Sequence, residues 1–417
     1  MFRILKKDTV TRARAGAIET SHGIVETPAF VVVGTHGKVR TLDTADLHAT
    51  GTQVIIANTY HLWRALGEKG LTAFPGLHTA MDWNGALMTD SGGFQVFSMG
   101  IAREHGVGKV APALQERLQI QHPYKLEFVR MSDPTENAER GSVKITEDGV
   151  VFTENKVRYW LDAEKSIRIQ QQLGADIIIA FDEPTSPRHD YAYIKQSLVR
   201  THAWAERSLK AKTSNQLLYG VVQGGSHEDL RAESARYIAS LPFDGIAVGG
   251  SYSNSFGSTR ERTIKELEWT IPHLPENKPR HLLGIGLIED IFAGVAAGID
   301  TFDCVVPTRE ARHGSIYTNR DRIDIKRTMY RDDKSVLDES CVCVVCKEMR
   351  IEKGALHAMF RDKSATEGQF SDARQQAARL ATMHNISFFN LLMVRIRISI
   401  LNGRFSEEKR RVLSQTV

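Results

Sequence analysis

The chain has 417 residues, enough for one large domain with a small appendage or for two medium domains. Hydrophobic residues make up 41% and charged residues 25%, which are globular values. No stretch approaches the roughly 20 apolar residues that cross a bilayer, and the N-terminus lacks the apolar run of a signal peptide. We therefore expect a soluble cytoplasmic protein with no membrane partner. The net charge of +4 is too small to indicate a nucleic-acid partner by itself.

Eight short apolar runs recur along the chain, and each ends abruptly in polar residues or glycine. Several are unbroken rather than alternating, as expected of parallel strands that are covered on both faces. Helical patterns separate several of them, so the sequence predicts a (β/α)8 barrel, with a doubly wound open sheet as the alternative. The runs cover residues 29–36, 52–61, 85–93, 175–183, 217–225, 245–251, 281–286 and 301–307, and the helical patterns cover 163–173, 191–209 and 227–240.

Two segments depart from this rhythm. Residues 101–155 form a predicted insertion, in which "KITEDGVVF" carries an Asp-Gly turn between two short β runs and indicates a hairpin. Residues 331–417 hold three of the four cysteines and the closing helices. We therefore expect a barrel domain over 1–330 and a zinc-binding subdomain over 331–417.

The strongest local signal is "CVCVVC". Cys341, Cys343 and Cys346 follow a CxCxxC spacing, which lets three thiolates converge on one ion from a tight turn. A redox pair is less consistent with the polar, irregular stretch around them, because redox CxxC motifs usually open a helix after a strand. The sequence predicts one structural zinc ion. Spacing alone leaves His357 and His384 as alternatives for the fourth ligand.

Polar residues or glycine follow most of the predicted strands. Active sites of (β/α)8 barrels lie at the carboxyl ends of the strands, so these residues are expected to converge. Carboxylates, an amide and exposed glycine backbone suit a planar, hydrogen-bonded ligand better than a phosphate, and no phosphate-binding GxxxxGK[ST] loop is present. The strand-end residues are Asn58, Asp90, Asp182, Gln223, Gly249, Gly250, Gly284 and Asp303.

The stretch "TFDCVVPTR" places two candidate nucleophiles side by side. Asp303 and Asp90 at neighbouring strand ends could together perform substitution at a sugar carbon, one attacking and the other moving protons. A strand-end aspartate can equally cap a helix. Cys304 would need a nearby base, and alternation along a strand turns it away from the side that Asp303 faces. We expect Cys304 to pack against the barrel wall.

The motifs together resemble the tRNA-guanine transglycosylase family, of the bacterial type, in the same order and across nearly the whole chain. They are "NTYHL", "TDSGGFQVFS", "AFDE", "VVQGG", "GIAVGGS", "FDCVVPTR" and "CVCVVC" followed by "HN". The resemblance implies an irregular (β/α)8 barrel with a C-terminal zinc subdomain, typically a homodimer. Its members exchange the wobble guanine of tRNAs with a GUN anticodon, those for Asp, Asn, His and Tyr, for a 7-deazaguanine on the queuosine pathway.

The resemblance also implies roles for individual residues. Asp303 becomes the nucleophile that forms a covalent tRNA intermediate, and Asp90 becomes the general acid and base. The residues implied for substrate binding are Asn58, Ser91, Gly92, Gly93, Phe94, Asp182, Gln223, Gly250 and Leu283, with Phe94 and Leu283 sandwiching the base. Those implied for RNA binding are Gly284, Ile285, Gly286, Thr308, Arg309 and Arg312. The zinc ligands become Cys341, Cys343, Cys346 and His384.

Several positions depart from the family pattern. Pro184 and the run Ser251, Tyr252 and Ser253 replace residues that shape the pocket for the substituent on the deazaguanine. The incoming base is therefore left open between 7-aminomethyl-7-deazaguanine, the bacterial choice, and queuine, the eukaryotic one. Glu310 replaces the usual Asn and puts a negative charge among the expected RNA contacts. The run 101–141 and the spacing from Cys346 to the later histidine are longer than the family requires.

Two other functions fit parts of the sequence. A catalytically silent tRNA-binding subunit of a heterodimer would not need both Asp303 and Asp90. A glycoside hydrolase with a structural zinc would use two aspartates but would leave Asp182 and Gln223 without a role. Because no additional RNA-binding domain follows residue 417, we expect the bacterial rather than the archaeal type of transglycosylase.

Overall fold

The computed structural model describes residues 1–104, 143–154, 156–250, 260–364 and 371–414. The strands are β1 (Phe2–Lys7), β2 (Arg14–Thr20), β3 (Gly23–Thr27), β4 (Ala29–Val33), β5 (Val54–Ala57), β6 (Ala86–Thr89), β7 (Val143–Ile145), β8 (Val150–Glu154), β9 (Val157–Leu161), β10 (Ile177–Ile179), β11 (Leu217–Val222), β12 (Gly245–Val248), β13 (Arg280–Leu282), β14 (Thr301–Asp303), β15 (Ser315–Tyr317) and β16 (Arg322–Asp324). The helices are α1 (Thr44–Ala49), α2 (Thr59–Thr72), α3 (Leu77–Met81), α4 (Gly93–Glu104), α5 (Ala163–Leu173), α6 (Tyr191–Ala211), α7 (Glu228–Ser240), α8 (Arg260–Thr270), α9 (Ile288–Ala297), α10 (Val306–Arg312), α11 (Val344–Lys347), α12 (Lys353–Arg361), α13 (Asp372–Leu401) and α14 (Phe405–Leu413), with 3-10 turns at Ile271–His273 and Thr328–Tyr330.

Eight parallel strands close into a barrel in the order β4-β5-β6-β10-β11-β12-β13-β14. The last strand pairs with the first, with Asp303 opposite Val31. Each of the eight apolar runs in the sequence overlaps one of these strands, so the predicted (β/α)8 barrel is confirmed. Closure excludes the alternative of an open doubly wound sheet.

Alternation along the barrel strands separates two apolar layers. On β5, Val54 and Ile56 belong to the cluster that fills the barrel interior, whereas Ile55 belongs to the larger cluster beneath the surrounding helices. Since both faces of each strand are covered, the strands are apolar at nearly every position, which is why they appear as unbroken runs in the sequence.

The three predicted helices are confirmed, and two of them begin at an aspartate that caps the helix. Helix α5 begins after Asp162, whose carboxylate accepts from the Lys165 backbone N–H, and ends at Gly174 in the left-handed conformation. Its range equals the predicted 163–173. Helices α6 and α7 lie within two residues of their predicted bounds, and Asp190 caps α6 in the same way.

Among the described residues, two three-stranded antiparallel sheets and the two-stranded sheet β15-β16 accompany the barrel. The predicted hairpin is confirmed as β7 and β8, and a third strand, β9, which the sequence did not predict, extends it. The N-terminal sheet β1-β2-β3 was also not predicted. Arg14 on β2 is buried and forms an ion pair with the buried Asp300 at the start of β14, which ties this sheet to the barrel. Most of the segment 101–141 lies outside the described residues.

The C-terminal part packs directly on the barrel. Helix α13 contacts α10 and β4, and most of its circumference is buried, which explains its apolar composition. The division at residue 330 remains a prediction. In the part of the chain that the structure describes, no helix is both long and apolar enough to span a membrane.

Candidate active site and metal centre

Asp90 directly follows β6 at the carboxyl end of the barrel. Its Oδ1 accepts hydrogen bonds from the backbone N–H groups of Thr59 (2.9 Å) and Gly92 (3.1 Å), and its Oδ2 accepts from Asn58 Nδ2 (2.5 Å). Gly92 has φ +76°, and a Cβ there would lie 3.1 Å from the backbone nitrogen of Tyr60. Glycine therefore lets this turn close around the carboxylate.

The pKa of Asp90 is raised to about 7. Burial is the largest cause, because it penalises the charged carboxylate, and the negative charge of Asp303 adds to the effect. The hydrogen bonds from Thr59, Gly92 and Asn58 oppose the rise only in part. A carboxyl group with this pKa can both donate and accept a proton near neutral pH.

Asp303 is the last residue of β14 and lies close enough to Asp90 for its charge to act there. Its side chain is 16% exposed, and its Oδ1 accepts from the Gly284 backbone N–H at 2.8 Å. The structure therefore brings together the two carboxylates that the sequence predicted as catalytic. Their roles stay a prediction.

Asp182, Gln223 and Ser91 form a second polar cluster at the same end of the barrel. Gln223 Nε2 donates to Asp182 Oδ2 at 2.7 Å, and Ser91 Oγ donates to Asp182 Oδ1 at 3.3 Å. All three residues are buried. Burial raises the pKa of Asp182 to about 6, against the lowering effect of both hydrogen bonds. This cluster presents both hydrogen-bond donors and hydrogen-bond acceptors to the barrel mouth.

The glycine loops after β11 and β12 are held by a buried ion pair that the sequence analysis missed. Arg231 donates to the carbonyls of Gly225 (2.7 Å) and Gly249 (2.5 Å), and it pairs with the fully buried Glu266 at 3.0 Å. A Cβ on Gly249 would lie 2.4 Å from Gln223 Nε2. The available signal was positional, since Arg231 lies on the apolar face of α7.

The predicted stacking residues lie at the mouth as well. Phe94, in the first turn of α4, is 47% exposed although it is a large aromatic residue. Leu283 directly follows β13, is partly buried, and packs on the barrel interior. Gly250 is described and partly buried, whereas Ser251, Tyr252 and Ser253 lie outside the described residues. The stacking role of Phe94 and Leu283 remains a prediction.

Positive charge concentrates around the helix that follows Asp303. Arg309 and Arg312 lie on α10, which begins three residues after it. The pKa of Arg312 is lowered to about 10 by burial and by the nearby charges of Arg40 and Arg309. Arg40 follows β4 and was not singled out in the sequence. Such a concentration of guanidinium groups is suited to phosphate oxygens.

The other residues predicted to bind RNA differ in exposure. Gly284 is exposed, but Ile285, Gly286 and Thr308 are buried. The Thr308 hydroxyl donates to the Val305 carbonyl within α10 at 3.1 Å. Their RNA-binding assignment stays a prediction.

Glu310, a departure from the family pattern, and Cys304, the second candidate nucleophile, both have structural explanations. Glu310 accepts from the Tyr317 hydroxyl (2.9 Å) and pairs with Arg322 (2.8 Å), so its charge is compensated locally. Cys304 is buried in the larger core, as expected, and burial raises the pKa of its thiol to about 12. A thiol with such a high pKa is a poor nucleophile.

Cys341, Cys343, Cys346 and His384 form a compact buried group. Their ligand atoms all lie within 4.8 Å of one another, and His384 Nδ1 is 3.3 Å from Cys346 Sγ. His384 Nε2 is 2.7 Å from the Tyr317 carbonyl, which leaves Nδ1 free of hydrogen and directed at the thiols. Neighbouring thiols lower the pKa of Cys343. A Cys3His donor set of this kind can hold a metal ion.

His357, the alternative fourth ligand, is not part of this group. It lies on α12, and its Nδ1 is 2.9 Å from the Ile325 carbonyl. Spacing left two histidines open as the fourth ligand. The fold places only His384, on α13, beside the cysteine turn.

The fold and the site define an enzyme built on a (β/α)8 barrel, with paired carboxylates at the mouth and a Cys3His group on the C-terminal segment. The family model described as queuine tRNA-ribosyltransferase matches residues 8–130 and 114–417. The chain therefore belongs to the queuine tRNA-ribosyltransferase family and is a pentosyltransferase.

Curated relatives agree with this assignment. A putative queuine tRNA-ribosyltransferase of Archaeoglobus fulgidus is 42% identical, with 98% of this chain and 98% of the relative covered. A queuine tRNA-ribosyltransferase of Roseiflexus is 37% identical, with 97% of each chain covered. One from Caldanaerobacter subterraneus is also 37% identical, covering 99% of this chain and 97% of the relative.

Proposed function

We propose that the protein is a tRNA-guanine transglycosylase of queuosine modification, which exchanges the wobble guanine of GUN-anticodon tRNAs for a 7-deazaguanine. The observation that carries this proposal is the pairing of Asp303 with Asp90, whose pKa is raised to about 7 partly by the charge of its neighbour. One carboxylate that attacks and a second carboxyl group that moves protons, placed at one site, match double displacement at a sugar carbon.

In the first displacement, the Asp303 carboxylate forms a bond to ribose C1′ while the bond from C1′ to guanine N9 breaks. The electron pair leaves with the guanine, and protonated Asp90 supplies the proton that neutralises it. The product is an ester between tRNA and Asp303. Burial of Asp90 favours this step, because it keeps a fraction of the carboxyl protonated near neutral pH.

In the second displacement, the incoming base loses its N9 proton to the Asp90 carboxylate and attacks C1′. The bond between C1′ and Asp303 breaks, and the Asp303 carboxylate leaves with its electron pair. Asp90 returns to its protonated form, so the cycle closes without a redox cofactor or a nucleotide triphosphate. One N-glycosidic bond has replaced another.

Recognition of the base is assigned to the second polar cluster. The Asp182 carboxylate accepts from guanine N1–H and N2–H₂, and Gln223 both orients Asp182 and faces the purine edge. Phe94 and Leu283 enclose the flipped-out base from its two faces. Both 7-aminomethyl-7-deazaguanine and queuine remain candidate incoming bases, because Ser251–Ser253 lie outside the described residues.

Binding of the anticodon loop is assigned to the cations beside Asp303. Arg309 and Arg312 lie on α10, which begins three residues after the nucleophile, and the charge of Arg40 acts on Arg312. These guanidinium groups suit backbone phosphates. The family resemblance supports a homodimer in the cytoplasm, where its tRNA partner is found. Compensation of Glu310 by Arg322 supports an RNA surface that is not repelled by that substitution.

The metal is proposed to be one structural zinc ion. Cys341, Cys343, Cys346 and His384 would hold it with no open position, which suits a structural rather than a catalytic site. The metal would fasten the cysteine turn to α13. Zinc content should fall in His384→Ala and stay unchanged in His357→Ala; zinc retained at full stoichiometry in the first variant contradicts this ligand set.

The decisive experiment is exchange of labelled guanine into a GUN-anticodon tRNA. Asp303→Ala should abolish exchange, because the ester cannot form, whereas Cys304→Ala should retain it. Exchange that survives in Asp303→Ala would overturn the nucleophile assignment. The same assay with each 7-deazaguanine distinguishes the two incoming bases, and a wild-type chain that binds tRNA without exchange would favour the silent-subunit alternative.

A further inference from the structure

His281 is a fully buried histidine inside the barrel, beside the proposed nucleophile. It lies on β13, in register with Thr301 of β14, and is 0% exposed. Because side chains alternate along a strand, Thr301 and Asp303 face the same side of β14. This register places the His281 ring next to both of them.

The two ring nitrogens of His281 have different neighbours. Nδ1 is 2.9 Å from Thr301 Oγ1, and Nε2 is 3.2 Å from Asp303 Oδ1. The second contact is not aligned as a hydrogen bond, and Nε2 has no other hydrogen-bond partner among the described residues. A buried polar atom without a partner is uncommon, and here it lies against the reactive carboxylate.

The neighbours also define the tautomer. A lone pair on Nε2 would face the carboxylate oxygen and repel it, so the hydrogen belongs on Nε2. Nδ1 then accepts from the Thr301 hydroxyl. Thr301 thereby keeps the N–H of His281 directed at Asp303.

The two oxygens of Asp303 are consequently unequal. Oδ1 faces both His281 Nε2 and the Gly284 backbone N–H, which donates to it at 2.8 Å. Among the described residues, no hydrogen bond to Oδ2 is present. Oδ1 is held by the Gly284 N–H and lies against the His281 ring, whereas Oδ2 is available to the substrate.

We propose that His281 is a positioning residue, which together with the Gly284 N–H holds Oδ1 of Asp303 and leaves Oδ2 as the atom that attacks C1′. The inference rests on the proposed function, since it takes Asp303 as the nucleophile. His281 acts only through Asp303. In the ester, Oδ1 is the carbonyl oxygen, so the two donors keep the carboxyl group oriented through both displacements.

Three substitutions separate this role from packing. The terminal amide of Gln reaches the place of Nε2, whereas that of Asn ends near Nδ1 and can contact only Thr301. His281→Gln should keep kcat for guanine exchange within about tenfold of wild type, while His281→Asn and His281→Leu should lower it about 10- to 100-fold. KM for tRNA should stay within about twofold, because the ring lies away from the RNA surface.

Trapping of the covalent complex provides a second readout. The rate at which the tRNA ester accumulates on denaturing gels should fall in His281→Asn as kcat does. Thr301→Val preserves the side-chain shape but removes the hydroxyl that donates to Nδ1. It should also lower kcat, because the N–H of His281 is then no longer fixed on Nε2. Tyr219→Phe is the matched control, since it removes another buried polar group of the barrel interior, and it should exchange guanine at the wild-type rate.

Equal kcat in His281→Gln and His281→Asn, or a loss confined to KM, would overturn the proposal. Melting temperatures of the Gln and Asn variants show whether a difference in folding explains the difference in rate. The result for Asp303→Ala separates two kinds of failure. If that variant is inactive while all His281 variants are as active as wild type, only this inference fails; if it is active, the proposed function itself fails.

Discussion

Strand β10 is flanked by two aspartates, and the pKa values of their carboxyl groups are shifted in opposite directions. Asp182, on the carboxyl side, is hydrogen-bonded to Gln223 and Ser91, which are both neutral, and burial raises its pKa to about 6. Asp176, on the amino side, contacts two histidines, and its pKa is lowered. The same residue type, at the two ends of one short strand, is thus placed in two different electrostatic environments.

The amino-side contacts explain the difference. His22 Nδ1 is 2.7 Å and His78 Nε2 is 3.3 Å from the Asp176 carboxylate, which also accepts from the Leu87 backbone N–H at 2.8 Å. Burial by itself would raise the pKa of Asp176, but the contacts with the His78 and His22 rings and the hydrogen bond from the Leu87 N–H outweigh it. These contacts connect the turn between β2 and β3, helix α3 and strand β6, so they hold the N-terminal sheet against the amino end of the barrel.

The comparison shows how the barrel divides stability from reactivity. At the amino end, the Asp176 and Asp300 carboxylates contact side chains of other elements, and these contacts stabilise the closed fold. At the carboxyl end, carboxyl groups are buried with neutral donors, which holds their pKa near the working pH. Substitutions at the two ends should therefore have different consequences.

The largest effect is expected for Asp90→Asn, which should lower kcat for guanine exchange by about 10²- to 10⁴-fold, because no group remains to move protons. In wild type, kcat should change with an inflection near pH 7, since Asp90 loses its proton as pH rises through its pKa. Asn58→Ala removes a hydrogen bond that favours the charged form, so the inflection should move to higher pH. A profile that is flat from pH 5.5 to about 8.5 would contradict this assignment.

A smaller effect on the same end is expected for Asp182→Asn. The variant loses one acceptor for the guanine N–H groups, so kcat/KM for labelled guanine should fall about 10- to 100-fold, the range for a hydrogen bond to a charged group. Asp176→Asn, at the other end of β10, is the matched control and should leave this ratio unchanged. Equal losses in both variants would show that the effect is on folding rather than on base recognition.

The smallest effect on activity is expected for Asp176→Asn. This substitution should lower the stability of the fold instead. At pH 7 the free energy of unfolding should fall by about 1–3 kcal/mol, because a buried charged acceptor is lost. The pKa of Asp176 is depressed in the folded state, so its contribution is present above about pH 4 and is lost as pH falls through the folded-state pKa. Urea unfolding at pH 7, 5 and 3 measures this. A difference between variant and wild type that persists undiminished at pH 3 would refute the ion-pair explanation.

Features that depend on neighbouring residues were predictable. The eight apolar runs overlap the eight barrel strands, and the helix 163–173 was predicted with its bounds because Asp162 and Gly174 mark its ends. The cysteine turn was visible in its spacing. Sheet β1-β2-β3 was missed, since β1 is largely exposed and carries little of the apolar pattern that identifies a strand.

Features that depend on register between distant strands were not predictable from the sequence alone. His281 had no motif around it, and only its pairing opposite Thr301 brings its ring to Asp303. Arg40 joins Arg312 from a loop after another strand. Spacing left both His357 and His384 open as the fourth ligand, and only the packing of α13 decides between them.

The sequence by itself determined the barrel, the strand-end positions of Asp90 and Asp303, and the three cysteines of the metal site, because periodicity and short spacings are local properties of a chain. The tertiary structure decided the raised pKa of Asp90, the compensation of Glu310 by Arg322, and the contact of His281 with one oxygen of Asp303. These properties depend on burial and on distances between residues far apart in sequence, and both exist only once the barrel has closed.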